Sequence, residues 1–128
     1  MKTIVISLIA VILFVSGAIL LLSGGDKAGT TAQSNVSIAD GKQIIEINAK
    51  GGYSPRQTVA KANMPTIIKV TTNGTYDCSS VLIIQNTQER TFLPATGETQ
   101  IAIPQQSAGS VVKGVCAMGM YSFAVQFN

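Results

Sequence analysis

The chain has 128 residues and a net charge of +3, which allows one domain plus attachments. It contains no histidine, so a Ser-His-Asp triad, a histidine-containing zinc site and a conventional blue-copper site are all excluded. Its nine basic residues are scattered among six acidic ones, with no basic run and no basic-aromatic interleaving, so no nucleic-acid site is expected.

Residues 4–22 carry no charge, and only Ser7 and Ser16 among them are polar. At about 1.5 Å per residue, a helix of that length nearly spans a hydrocarbon core. A cleaved signal peptide is the rival reading. Four apolar residues follow the small stretch Ser16, Gly17 and Ala18, which disfavours cleavage there. Residues 1–23 are therefore expected to form one N-terminal transmembrane helix in the cytoplasmic membrane. With only Lys2 and the terminal amine on the near side, the expected orientation is single-pass with the C-terminal domain extracytoplasmic. Residues 24–35 are small and polar and read as a flexible tether. Residues 36–128 form the folded domain.

That domain reads as strands. Residues 43–49 bring Ile44, Ile45 and Ile47 in a β-rich run, broken by Gly51, Gly52, Ser54 and Pro55. Asn63, Met64 and Pro65 punctuate the chain before a strand at Thr66–Thr72. Asn73 and Gly74 signal a turn. Val81–Ile84 is a short buried-strand candidate. Phe92, Leu93, Pro94, Thr96 and Gly97 read as a connection. Ile101 and Ile103 lie on a strand that Pro104 ends. Val111–Cys116 is a further strand, and residues 121–127 close the chain with Tyr121, Phe123, Val125 and Phe127 on one face. No helical repeat follows the anchor. Short strands at regular spacing predict an all-β sandwich or small barrel.

Sulfur is the sharpest feature. Cys116, Met118 and Met120 fall within five residues, and Cys78 is the one other cysteine. Thiolates and thioethers are soft ligands, and without a nitrogen partner they suit Cu(I). Small residues at Ala117 and Gly119 let the three sulfur groups point to one side if the segment is extended. Gly119 also permits a tight bend. Two plainer readings compete. Cys78 and Cys116 can form a disulfide bracing an exported sandwich. Met118 and Met120 can be core residues at strand spacing.

Residues 51–55 (GGYSP), 61–70 (KANMPTIIKV), Cys78, 93–104 (LPATGETQIAIP) and the run from Cys116 through Met118 and Met120 to Tyr121 resemble the cupredoxin-like domains. More narrowly, they resemble the membrane-anchored Cu(I) chaperones of the CupA type in streptococci. They are also similar to the N-terminal cupredoxin-like domain of some copper-exporting P-type ATPases. The resemblance covers about residues 40–128 plus the anchor. It implies a cupredoxin-like β-sandwich of Greek-key type, preceded by one transmembrane helix. It implies two Cu(I) ions close together. Cys78 and Cys116 would hold the tighter ion and bridge to the second, and Met118 and Met120 would complete the weaker, more exposed site. In blue-copper proteins the first position and the final loop both supply histidine. Here Cys78 stands at the first position and the loop has none, which argues against electron transfer.

The expected activity is copper resistance by Cu(I) chaperoning, with exchange to the matching domain of a copper-exporting P-type ATPase. No substrate bond is made, so no enzyme is expected. The tether raises effective concentration near a membrane partner. A copper-delivery factor for a respiratory oxidase has the same ligand chemistry. A metal-free sandwich braced by Cys78 and Cys116 is the structural alternative. Tyr76 is a possible shield of the site, Tyr121 is expected to pack beneath it, and Asp77 is given no role.

Overall fold

β-branched residues at every second position place one face of each strand inside, and the fold follows from that alternation. The computed structural model describes residues 35–128. The expected anchor and almost all of the expected tether lie outside the described residues. Among the described residues no helix is long and apolar enough to cross a membrane.

The strands in chain order are β1 (Val36–Ala39), β2 (Lys42–Ala49), β3 (Tyr53–Ser54), β4 (Gln57–Ala60), β5 (Thr66–Thr72), β6 (Val81–Ile84), β7 (Glu89–Phe92), β8 (Gly97–Ile103), β9 (Val111–Cys116) and β10 (Ser122–Phe127). The first sheet runs β1-β2-β5-β8, with β3 paired to β2. The second runs β4-β10-β9-β6-β7. Both sheets are mixed, because β2 pairs with β5 and β4 with β10 in parallel while the other neighbours are antiparallel.

Ile45, Ile47, Ile68, Val70, Ile101 and Ile103 face inward from the first sheet, and Leu82, Ile84, Val112, Phe123, Val125 and Phe127 from the second. Each such side chain contributes about 1.5–3 kcal/mol on leaving water. One buried amide ties the sheet ends together. Gln43 donates to the Lys61 carbonyl (3.1 Å) and to Thr66 Oγ1 (3.1 Å), and accepts from the Lys61 amide (2.8 Å).

Opposite Phe123 on β9 stands Gly114. The Phe123 ring lies over it, so a Cβ there would sit well inside contact distance of the ring and against Leu82. Tyr53 also packs against the ring, in a T-shaped contact at 5.3 Å between centroids. Phe123 therefore has little room to shift. Gly114→Ala is expected to cost about 1–3 kcal/mol through overpacking, read as a lower urea midpoint at unchanged slope.

Three parts of the sequence reading are corrected. The segment around Phe92 is strand β7 rather than connection, and β8 begins at Gly97. Tyr121 precedes β10 and is only partly buried, so it does not share the inward face of Phe123, Val125 and Phe127. Strands β3 and β4 carry too few apolar residues to signal themselves, and β1, with Val36, Ile38 and Ala39, is a short strand whose side chains stay largely exposed.

Candidate functional site

Six chain segments meet at one end of the sandwich. There β2 and β5 finish, β8 begins, and β9 turns into β10. A single 3-10 turn, Cys78–Ser80, leads into β6 at the same end. Backbone hydrogen bonds hold these pieces together: Thr75 N to Ala95 O at 2.9 Å, Leu93 N to Ser80 O at 2.8 Å, and Ala117 N to Val81 O at 3.1 Å. Thr75 Oγ1 also donates to the Ala49 carbonyl.

Asp77 fixes the turn that carries Cys78. Its carboxylate accepts from the Ser79 hydroxyl, from the Ser79 amide (2.8 Å) and from the Gly51 amide (2.8 Å). It is thus the N-cap of the turn and a clamp on the loop after β2. The Ser79 hydroxyl and amide, then the Gly51 amide, hold its carboxyl below the ordinary carboxylate range. Sequence reasoning gave Asp77 no role, yet the signal was present: an aspartate two residues before a serine at a strand entrance is a capping pattern. Asp77→Ala should lower stability at neutral pH by about 1 kcal/mol. The contribution exists above the unfolded carboxyl value near 4 and is lost as pH falls through the lowered folded value. The gap between wild type and variant should therefore close in acid, as measured by urea unfolding at stepped pH.

Tyr53 supports the turn from below. It is buried, and its hydroxyl donates to the Ser79 carbonyl at 3.3 Å. Burial first, and the Asp77 charge second, push its phenol well above the ordinary tyrosine value.

Cys78 begins the turn and is partly buried; Cys116 ends β9 and is buried. Their Cα atoms lie 5.7 Å apart and the two sulfurs are joined. The structure thus shows the oxidised pair, the bracing disulfide of the plainer reading. Each sulfur also accepts a backbone amide: Met118 N donates to Cys78 Sγ (3.4 Å) and Tyr121 N to Cys116 Sγ (3.4 Å). Amide donors aimed at sulfur favour negative charge there once the pair is reduced.

The segment after Cys116 is a turn, not an extended run. Gly119 N returns to Cys116 O at 2.8 Å, Cys116 N reaches Tyr121 O at 3.0 Å, and Gly119 has φ +71°. A bend at Gly119 is what its sequence position suggested. Met118 is 77% exposed and Met120 66%. Neither is a core residue, so that plainer reading of the two methionines is corrected. Tyr76 (84%) and Phe92 (73%) are also exposed. Tyr76 stands two residues before Cys78, and Phe92 pairs with Val81, whose carbonyl holds Ala117. Tyr76 projects into solvent rather than covering the cysteines. Tyr121 packs against the core and lies over Gly52, at 3.4 Å from where a Cβ would be.

Among the described residues no three of histidine, cysteine, aspartate and glutamate gather to hold a metal ion. A metal at this end would have to be one that sulfur satisfies.

No protein-family model and no curated protein matches the chain. Solved structures do. The metal-binding domain of the Streptococcus pneumoniae D39 Cu(I)-exporting P-type ATPase CopA, solved with Cu(I), aligns with a TM-score of 0.62 at 21% identity, over 73% of this chain and 92% of that one. A copper-binding protein solved in its apo form aligns with a TM-score of 0.65 at 20% identity, over 73% of this chain and 94% of that one. The fold is cupredoxin-like. In that cupredoxin-like frame, the paired sulfurs and the two exposed thioethers share the end of the sandwich where β9 meets β10.

Proposed function

We propose that this chain binds Cu(I) as cargo through Cys78, Cys116, Met118 and Met120 and passes it on by ligand exchange. One observation carries the reading. Two thioethers stand exposed on the same short turn whose backbone amides reach the paired cysteine sulfurs. Large apolar side chains exposed together mark a contact or ligand site. Sulfur alone suits Cu(I), since neutral thioethers bind harder ions poorly. The cupredoxin-like neighbours described as copper-binding support the same reading.

The copper-competent form is the dithiol. Two external thiols reduce the pair: they give two electrons and two protons and leave as one disulfide. Binding of Cu(I) then releases the thiol protons to solvent. The two thiolates hold the tighter ion and bridge to a second one completed by Met118 and Met120. The methionine ion is exposed and held by neutral donors, so it enters and leaves first. Residues 1–23 anchor the domain at the membrane. The copper-exporting P-type ATPase is the exchange partner, through its own cupredoxin-like domain. Tyr76 and Phe92 supply apolar contact area around the site.

The test is an anaerobic Cu(I) titration of the reduced full-length chain in uncharged detergent, against a Cu(I)-specific chromogenic chelator. Two equivalents of unequal affinity are expected. Failure of the reduced chain to compete for copper would return the domain to a sandwich braced by its disulfide.

A further inference from the structure

An open cleft of about 340 Å³ lies beside Met120. Lys50 and Gly52, on the loop after β2, line it together with Arg56, Met120 and Tyr121. Met118 is not among its lining residues. Lys50 and Arg56 are exposed, and neither enters an ion pair among the described residues, where Lys69 takes both bridges. No carboxylate lines the cleft. The neighbouring acid, Asp77, accepts from Ser79 and Gly51 and enters no salt bridge among the described residues. Lys50, whose ammonium rests beside Gly74, and Arg56 thus line one small concave space together with the Met120 thioether, and neither is in a salt bridge among the described residues.

That volume suits a small molecule rather than a protein surface. Cations lining one cleft outside any salt bridge favour an anion there, and arginine matches a carboxylate fork. The thioether at the rim favours a soft atom on the same ligand. We propose that the cleft seats the carboxylates of a small thiol that carries Cu(I), and so delivers its copper to Met120. The inference rests on Met120 being the exchange ligand. In the step, the bond from copper to the carrier's sulfur breaks as a bond to Met120 Sδ forms. Copper remains Cu(I) throughout and no electron moves. The carrier leaves as a thiolate, which takes a proton from water. The charge of the carrier sets the rate, because Lys50 and Arg56 act before any bond to copper changes.

Two carriers separate this from simple copper uptake: Cu(I) complexed by mercaptosuccinate, a dicarboxylate thiol, and Cu(I) complexed by thioglycerol, which is neutral. The reduced full-length chain in uncharged detergent is mixed with each at low ionic strength without oxygen. Uptake from the mercaptosuccinate complex should be faster, on the order of tenfold. In the Lys50→Gln, Arg56→Gln double variant the two rates should become equal, with the thioglycerol rate unchanged. Metal-free mercaptosuccinate should also shift the amide NMR signals of Gly51, Gly52 and Tyr121 saturably in wild type and not in the double variant. Equal rates from both carriers in wild type, or a preference that survives in the double variant, overturns the carrier proposal alone. Absence of the amide shifts overturns it too. Uptake from neither carrier overturns the copper reading and the carrier proposal together.

Discussion

Cys78→Ser should remove the tight copper ion, weakening it on the order of a thousandfold or more, about 4 kcal/mol or above. A hydroxyl is a hard, neutral donor and cannot replace a thiolate for Cu(I). The paired change Met118→Leu, Met120→Leu should do something different. It keeps side-chain volume at two exposed positions, so the fold is undisturbed. It should remove the weaker equivalent and leave the tight one within a few-fold. Both variants must be compared with wild type under reducing conditions, where none of the three carries the disulfide. The chelator titration reads both changes directly. One equivalent in wild type, unaffected by the methionine change, would reduce the site to a plain dithiolate.

Reducing the Cys78 and Cys116 pair without metal should lower stability sharply. The bond closes a segment of sequence separation 38, and releasing such a loop costs about 4 kcal/mol by chain entropy. For a domain this size each kcal/mol is worth roughly 4–8 °C, so Tm should fall on the order of 20 °C. Copper should then restore it. Free Cu(I) buffered about a thousandfold above Kd returns about 4 kcal/mol to a state that binds it only when folded. Thermal melts of the oxidised, reduced and copper-loaded reduced chains give the three values. A copper-loaded Tm equal to that of the reduced, metal-free chain would contradict cargo binding at the cysteines. The site is thus braced in either of two ways, by a covalent bond or by the ion.

Much of the fold was legible because particular runs admit one interpretation. The strands at Thr66–Thr72, Val81–Ile84 and Val111–Cys116 fall where β-branched residues and flanking turn residues put them. Gln57–Ala60 was illegible for a physical reason. Only Thr58 and Ala60 point inward, and the strand exists because β10 offers it a parallel partner. Glu89–Phe92 is a sheet edge with a charged start, and its pairing to β6 decides it. The four sulfur residues were visible as a group. Their disposition was not, since the turn at Gly119 depends on amides returning to Cys116 and its sulfur. The clamp by Asp77 joins residues 26 apart in sequence, and the cleft draws on residues from Lys50 to Ser122. The local cap of Ser79 by Asp77 was readable, but the clamp on Gly51 and the cleft join residues too far apart in sequence to leave a local signature.

The most direct measurement is X-ray absorption at the copper edge on the reduced, anaerobically loaded full-length chain. The account predicts a Cu(I) edge and a first shell of sulfur alone, with fewer sulfur neighbours per copper in the Met118→Leu, Met120→Leu variant when both equivalents are added. Nitrogen or oxygen neighbours in the wild-type first shell, or no copper retained after desalting, would contradict it.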